Sequence, residues 1–575
     1  MPLPVRVEGP SRRLAVAVLT TATLVLSALA IYVVRLDHVA GLIGDDAWYA
    51  VLAKAIAEGD GPRLIGSAEL HVLSPVYPPG FPALLSLVFL VSPSYPANLL
   101  LLKSVSVAAM IGVGVLTYRY AVRCRGQSTA ISAAVAFATV ITPSLVFLAT
   151  STLMSEVVFL FVELAAVLAI ERAAAAEPDR ASRGAMLAGV LAGATMLVRT
   201  AGVAVVAAGV LYLVGTRRWR RAVPFVAASV LCVLPWTIYA HRHAATHAER
   251  VDLGGVMAVD YANWFWTREA GTVTARSVGL VALPARIVRN VTDIAIRDMG
   301  GIFVPVLFRS AGESGLEAVG LGPPEDGSVP SMGSATGTKA VSLVLTLVAV
   351  LGFIVACRRR LTVAEPLTVL SVGMIVLWPF WTFRFVLPLT PFLLCYLVIG
   401  VETLGAAAAR VSRPATVAST SVSAARIFLF VLIGLNVLDH VRYVAQPHEN
   451  ARGGTWQAQG DDTDAIMDWV RRHAERGSVI AAYNPALVYL LTGHQTVAID
   501  SFGDRWNRWR RLGVRYLVCL SDAQPMDDSP RSALRFKLPD KNLWVVELLP
   551  ADGATASSVA STTHMPDRSV RNSTR

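Results

Sequence analysis

The sequence predicts a polytopic α-helical membrane protein followed by a small α/β domain outside the membrane. Three observations carry that expectation. First, the 575 residues are 54% hydrophobic and only 16% charged, whereas an average soluble domain is about 25% charged. The mean hydropathy is +0.55, and the apolar residues are gathered into long Ala, Val and Leu runs of spanning length, which excludes a chain of soluble domains. Second, Arg-rich clusters separate those runs in the pattern of positive-inside topology. Third, the composition changes after residue 445, where short strand-like and helix-like segments replace the long runs. The net charge of +11, from 51 Lys+Arg against 40 Asp+Glu, is then topological and does not call for nucleic acid.

Taken in order, charge assigns each run a direction. Leu14 to Val34 follows Arg12 and Arg13 and leaves the cytoplasm; it is too long for a signal-peptide core. Residues 35–98 form an outside loop with two helical stretches. Asp46 to Ala57 stops at Glu58-Gly59-Asp60-Gly61-Pro62, and Phe81 to Val91 is bounded by prolines and too short to cross a core of about 30 Å. Both are expected to lie on the outer membrane face. Leu99 to Leu116 then returns to the Arg119-Tyr120-Ala121-Val122-Arg123-Cys124-Arg125 cluster. Residues 128–148 go out and Leu153 to Ile170 comes back. Residues 184–198 and 201–214 form a hairpin with Arg199 at its outer tip, and 222–239 exit again. A long outside loop, 240–338, contains a surface-lying helix from Pro284 to Met299. Residues 339–356, 366–381, 385–401 and 427–438 complete about eleven crossings, with the N-terminus inside and the C-terminus outside.

The expected domains are a transmembrane module over 1–444, an extracytoplasmic α/β domain over 445–550 and a Ser/Thr/Ala-rich disordered tail over 551–575. Within the second, Thr463 to His473 and Pro485 to Leu491 are expected helices. Val479 to Ala482, Tyr516 to Leu520 and Leu543 to Leu548 are expected strands. No long internal repeat is present. The five cysteines, Cys124, Cys232, Cys357, Cys395 and Cys519, show no CxxC spacing, which argues against a structural zinc site or a disulfide scaffold. No P-loop, GxGxxG, GxSxG or HExxH stands in a fitting context, which disfavours nucleotide-driven or Rossmann chemistry.

Polar residues at the outer face are the informative exceptions. Asp45 and Asp46 follow the first crossing; an N-cap explains one of them well and the second poorly. Tyr49 lies one helical turn beyond Asp45. Tyr77-Pro78-Pro79-Gly80-Phe81-Pro82 fixes the chain where it meets the membrane. Glu156 opens an apolar helix, where a carboxylate is costly unless it faces a polar cavity, although a helix N-terminus also favours it. Arg199 and Arg384 are outer-face cations, against the positive-inside bias, and Lys103 lies early in an apolar run from which it could snorkel outward. His241, His243 and His247 have metal-like spacing without a partner carboxylate, so solvated histidines are the better reading. Trp264 and Trp266 fit an interfacial belt, and aromatic faces also bind sugars.

These motifs together resemble GT-C fold glycosyltransferases, most closely the family 39-like group of protein O-mannosyltransferases and aminoarabinose transferases. Asp45-Asp46-Ala47-Trp48-Tyr49 resembles the opening acidic motif, and Tyr77 to Leu85 the second signature. Met154-Ser155-Glu156, Leu197 to Gly202, and Arg384 to Pro391 resemble the later motifs, and Asn484 to Gly493 the soluble domain of bacterial relatives. The resemblance implies transfer of a sugar from a polyprenyl-phosphate donor to a hydroxyl on a protein, lipid or glycan acceptor at the outer face of the plasma membrane, with inversion. It implies catalytic roles for Asp45, Asp46 and Glu156 and substrate contacts for Tyr49, Tyr77, Lys103, Arg199 and Arg384. It fixes no cofactor, though a divalent metal is compatible with it. Trp48 and Tyr77-Pro78 stand where some relatives have a basic residue and an acid-Lys pair. Two other classes compete. A transporter or flippase of a lipid-linked sugar should place polar residues near the bilayer midplane, and the absence of mid-helix acids favours the enzyme. A non-catalytic envelope assembly protein would leave the acidic pair without a role.

Overall fold

The computed structural model describes residues 10–38, 41, 44–69, 77–243, 265–266, 279–308, 336–412, 417–445, 456–482, 484–499, 505–520, 532–538 and 543–549. His247 and Trp264 lie outside the described residues. The first ten helices are α1 (Pro10–Arg35), α2 (Gly44–Glu58), α3 (Gly80–Val91), α4 (Leu99–Arg123), α5 (Thr129–Val140), α6 (Pro143–Thr150), α7 (Glu156–Ala175), α8 (Pro178–Val198), α9 (Val203–Gly215) and α10 (Trp219–His243). Further helices run over Thr336–Arg359, Ala364–Leu377, Thr390–Ser412 and Val417–Ala445. Every apolar run in the sequence is thus helical. Among the described residues six helices are long and apolar enough to cross a membrane, or seven if the bent pair α5 and α6 is one span. The others are interrupted, short or charged: α9 and Ala364–Leu377 fall below spanning length, and α7 carries Glu156, Glu163, Glu171 and Arg172.

The short helices sit where their length requires. α3 has 12 residues, about 18 Å of rise, well short of a hydrocarbon core. Phe81, Leu85 and Phe89 are buried against the bundle, while Leu87, Leu90 and Val91 stay exposed. The 283–303 segment has the reverse of a soluble amphipathic helix. Val288 and Val291 are exposed while Arg286, Asn290, Arg297 and Asp298 are buried. The Asn290 amide donates to the carbonyls of Val376 and Trp378 at 3.1 and 2.8 Å, and so satisfies the open end of helix Ala364–Leu377. The expected surface-lying helix is therefore partly an anchor: Val288, Arg289, Val291 and Thr292 face outward, while Arg286 and Asn290 are held inside.

One expectation is overturned. The bundle does contain a mid-helix acid: Glu163, near the middle of α7, is 1% exposed, and its Oε2 has no hydrogen-bond partner among the described residues. The absence of such acids therefore cannot weigh against a transporter. Lys103 also differs from expectation. Its stem does not snorkel; the ammonium is fully buried and donates to the backbone carbonyl and to Oδ1 of Asp37 at 2.8 and 2.7 Å.

The C-terminal region forms a mixed five-stranded sheet of β1 (Val479–Ala482), β2 (Thr496–Ala498), β3 (Val514–Cys519), β4 (Ser532–Lys537) and β5 (Trp544–Leu548), in the order β2-β1-β3-β5-β4. β1 runs parallel to β2 and β3, and β5 antiparallel to β3 and β4. Alternate residues feed two cores. Ile480, Tyr516, Val518 and Val545 pack with Ile466, Met467 and Val470 of helix Trp456–His473. Ala481, Leu517, Cys519, Trp544 and Val546 pack with Trp509 of helix Arg505–Arg511. Period-two alternation over a sheet covered on both faces explains why β1, β3 and β5 are mostly apolar; Arg515 of β3 and Arg535 of β4 stay exposed and pair with Glu547. The sequence shows three of the five strands; β2 has only three residues, and β4 is largely exposed with no apolar alternation.

At the far end of α4, burial of charge fixes the bundle. Arg125 is ion-paired to Glu365, and its Nε donates to the Tyr120 hydroxyl at 2.8 Å. Glu365 also accepts from the Thr362 backbone N–H at 2.7 Å in a capping-box arrangement. Breaking one side of a buried pair costs about 3–5 kcal/mol. Arg125→Met should therefore lower the thermal midpoint in detergent markedly, and adding Glu365→Leu should recover most of the loss. Equal instability of both variants would show that the pair does not govern this end.

Candidate active site

Five chain segments converge at the other end. Asp45 lies at the start of α2, Tyr77 just before α3, Glu156 at the start of α7, Arg199 in the tight link between α8 and α9, and Arg384 in a one-turn helix, Phe383–Val386. Tyr77 donates its hydroxyl to Asp45 Oδ1 at 2.8 Å. Arg384 Nη2 reaches Asp45 Oδ2 at 3.3 Å, and its Nε is bonded to Glu156 Oε1. Arg199 Nη1 contacts the same Glu156 oxygen at 3.0 Å and donates to Ser155 Oγ at 2.9 Å. Ser155 Oγ in turn lies 3.0 Å from the Tyr49 hydroxyl. Two carboxylates and two guanidiniums thus form one chain, Asp45–Arg384–Glu156–Arg199, with balanced formal charge.

The members differ in access. The Glu156 side chain is 1% exposed, those of Arg199 and Arg384 are 14% and 13%, and that of Asp45 is 30%. Glu156 is therefore the buried counter-ion that makes two guanidiniums tolerable at the edge of an apolar bundle. Asp45 is the carboxylate a ligand can touch. Tyr49 is buried, with its ring edge-on to Tyr77 and Phe81 at 5.1 and 5.0 Å; burial raises its phenol well above the ordinary value, so it stays a neutral hydrogen-bonding group.

Local sequence explains the placement. The loop side of Asp46 turns on Gly41, whose φ of +79° suits glycine. The Gly41 N–H donates to Asp46 Oδ2 at 2.9 Å and the Ala47 N–H to Oδ1 at 2.7 Å. Asp46 is thus buried and holds the turn that presents Asp45. At Gly80 an added Cβ would lie 2.7 Å from the Leu197 carbonyl oxygen; this close approach sets Tyr77 beside the Arg199 link. The segment before Arg384 is pinned by Thr382, which bonds Asp298, itself paired to Arg297 Nε at 2.8 Å. Burial raises Asp298 to about 6. The sequence reading missed Asp298, Ser155 as a ligand to Arg199, and Gly41. Asp298 was legible only as one of two acids, with Asp293, in a mostly apolar and basic stretch.

Lys103 stands apart from the four-charge chain, enclosed with Asp37, whose other oxygen accepts from Ser151 at 2.6 Å. Among the described residues no group of three or more His, Cys, Asp or Glu is placed to hold a metal ion. Part of the site rests on the C-terminal region. Asn484 donates to the Gly41 carbonyl at 3.4 Å, and Leu487 packs where a Gly41 side chain would go. The strip after α2 adds to the sheet edge through Ala68 N–H to Thr496 O at 3.0 Å and Thr496 N–H to Gly66 O at 2.8 Å.

Residues 76–239 match the family of dolichyl-phosphate-mannose-protein mannosyltransferases. The match encloses Tyr77, Glu156 and Arg199, while Asp45 and Arg384 lie outside it and join the site only in three dimensions. The structure is similar to the archaeal oligosaccharyltransferase AglB from Archaeoglobus fulgidus, solved with an inhibitory peptide and a dolichol-phosphate, with a TM-score of 0.52, 13% identity, and 87% of this chain and 69% of that one covered. The apo form of the Archaeoglobus fulgidus oligosaccharyltransferase superposes over the same shares with a TM-score of 0.54 and 15% identity. ArnT from Cupriavidus metallidurans bound to undecaprenyl phosphate aligns over 92% of this chain and 98% of that one, at 13% identity and a TM-score of 0.47. No curated protein sequence matches the chain significantly. The GT-C architecture that the motifs resemble is the architecture observed; at these identities the likeness is one of fold.

Burial dominates the Asp46 environment and raises its carboxyl to about 7, while the two backbone donors oppose the rise. A folded value above the ordinary one favours the protonated form, so its stabilisation is complete below about pH 4 and is lost as pH rises through about 7. Relative to wild type, Asp46→Asn should therefore gain thermal stability between about pH 5 and about pH 8, by roughly 2–4 °C in Tm. A difference that stays constant across that range would show that Asp46 does not titrate there.

Proposed function

We propose that this chain is a membrane glycosyltransferase that moves a sugar from a polyprenyl-phosphate donor to an acceptor hydroxyl at the outer face of the plasma membrane, with inversion. The observation that carries this reading is the Asp45–Arg384–Glu156–Arg199 chain, in which one accessible carboxylate lies beside two partly open guanidiniums. The matched mannosyltransferase family and the oligosaccharyltransferase fold support it.

In this mechanism Asp45 takes the proton of the acceptor hydroxyl as the oxygen bonds to the anomeric carbon. The bond from that carbon to the phosphate oxygen breaks, and the polyprenyl phosphate leaves with the electron pair. Arg199 and Arg384 stabilise the charge that grows on the leaving phosphate. A single displacement inverts the anomeric centre. Glu156 acts as a positioning residue that holds both guanidiniums; Tyr77 aims Asp45, and Tyr49 acts through Ser155. Asp46 presents Asp45 through the Gly41 turn, and the Lys103–Asp37 pair supports the same wall. Helices α2 and α3 would line the entrance for the lipid, with the exposed Leu87, Leu90 and Val91 facing the bilayer. The sugar could be a hexose or a pentose.

The same reading takes all eleven apolar runs as crossings, several of them by short or broken helices, with the C-terminal sheet outside. Asp45→Asn should leave folding and membrane insertion intact and reduce transfer from a polyprenyl-phosphate sugar about 10²–10⁴-fold; full activity in that variant would end the catalytic assignment. In a cysteine-free background, Asp60→Cys should react with an impermeant maleimide on intact cells, and Arg220→Cys only after permeabilisation. The reverse pattern would overturn the sidedness.

A further inference from the structure

At the end of the bundle opposite the candidate active site lies a cavity of about 320 Å³. It is separated from that site by the length of one helix stretch: Arg384 to Glu402 is roughly 27 Å at 1.5 Å per residue. Four arginines line it, Arg125, Arg359, Arg360 and Arg426, together with Gln127 and Glu402. The cavity also meets the N-terminus of α5, where Ser128 caps by accepting the Ile131 N–H at 3.4 Å, an end that favours negative charge.

The charges do not cancel within the cavity. Arg125 is neutralised by Glu365, and Glu402 offsets one more guanidinium. Two positive charges remain among Arg359, Arg360 and Arg426. Among the described residues the Arg360 side chain donates to the Arg123 carbonyl, at 3.4 Å. A second, independent feature points the same way. Both Nε2 and Oε1 of Gln127 are out of solvent and, among the described residues, without a hydrogen-bond partner. Leaving a buried amide unsatisfied costs about 1–3 kcal/mol, so it calls for a ligand that both donates and accepts.

We propose that this cavity is a binding site for a phosphate group. Guanidinium forks match phosphate oxygens in geometry and charge. A turn of the Gln127 side chain toward the cavity lets its amide N–H₂ donate to a third oxygen and its carbonyl accept from a protonated phosphate oxygen or from a hydroxyl of the molecule that bears the phosphate. The source is either an anionic lipid headgroup or a soluble phosphate. The site is independent of the transfer reaction proposed above, because none of its residues touches the Asp45 cluster.

The test uses the full chain in neutral detergent and titrates inorganic phosphate, short-chain phosphatidylglycerol and, as a control, short-chain phosphatidylcholine. Wild type should bind at least one of the two anionic probes in preference to the control. Preference for phosphatidylglycerol makes the source a headgroup, and preference for inorganic phosphate a soluble ligand; both support the site. Arg359 and Arg426 are exposed, so Arg359→Gln/Arg426→Gln should keep its thermal midpoint while the Kd rises about tenfold or more. Arg358, exposed at the same helix end but outside the cavity lining, provides the control. Arg358→Gln should change the Kd less than about twofold. Equal weakening in Arg358→Gln, or no binding of either anionic probe by wild type, would reduce the cluster to the general positive charge of a membrane face and overturn the proposal.

Discussion

Glu156 is the point on which the candidate site depends. A lone carboxylate enclosed in an apolar bundle is costly, and two unpaired arginines at its edge would repel each other. Placed together, Arg199 and Arg384 meet at one oxygen of Glu156 and the charges offset one another, while Oε2 of Glu156 has no hydrogen-bond partner among the described residues and Arg384 has a donor left for Asp45. The arrangement fixes the link between α8 and α9, the start of α7 and the 383–386 turn in one position. Those three segments in turn decide where Asp45 and Tyr77 can sit.

Because each charge must be met, secondary supports accumulate around this chain. Thr382 is bonded to Asp298, which is paired to Arg297, and the neighbouring Asn290 closes the end of helix Ala364–Leu377. Asp37 meets Lys103 and Ser151. The C-terminal sheet joins in through Asn484, Leu487 and Thr496, all of which touch the loops flanking α2. That contact gives the sheet a direct structural connection to the turn that presents Asp45. It makes the two parts of the chain mechanically dependent, since a side chain at Gly41 would collide with Leu487.

The other end of the bundle follows the same rule with a different outcome. Arg125 and Glu365 neutralise each other deep in the structure, yet Arg359, Arg360 and Arg426 surround a cavity that also holds the amide of Gln127, unpartnered among the described residues. One end therefore closes its charge network internally, and the other leaves it open. Glu163, halfway along α7, keeps an Oε2 with no hydrogen-bond partner among the described residues.

The sequence by itself determined the helices, because runs of Ala, Val and Leu between Arg clusters have no alternative in an apolar solvent that leaves backbone groups unsatisfied. It determined strands β1, β3 and β5, whose alternation is strong, and it made Asp45, Glu156, Arg199 and Arg384 visible as charges out of pattern. It could not assign them partners, since pairing links residues as distant as 45 and 384 and depends on how helices cross. Only the tertiary structure decided that Asp46 faces backbone donors while Asp45 faces the arginines, although the two are adjacent. Only it decided that Lys103 is enclosed, that Asp298 anchors the Arg384 turn, and that the 283–303 segment turns its polar side inward. Burial and long-range pairing are properties of packing, and the local sequence carries no record of them.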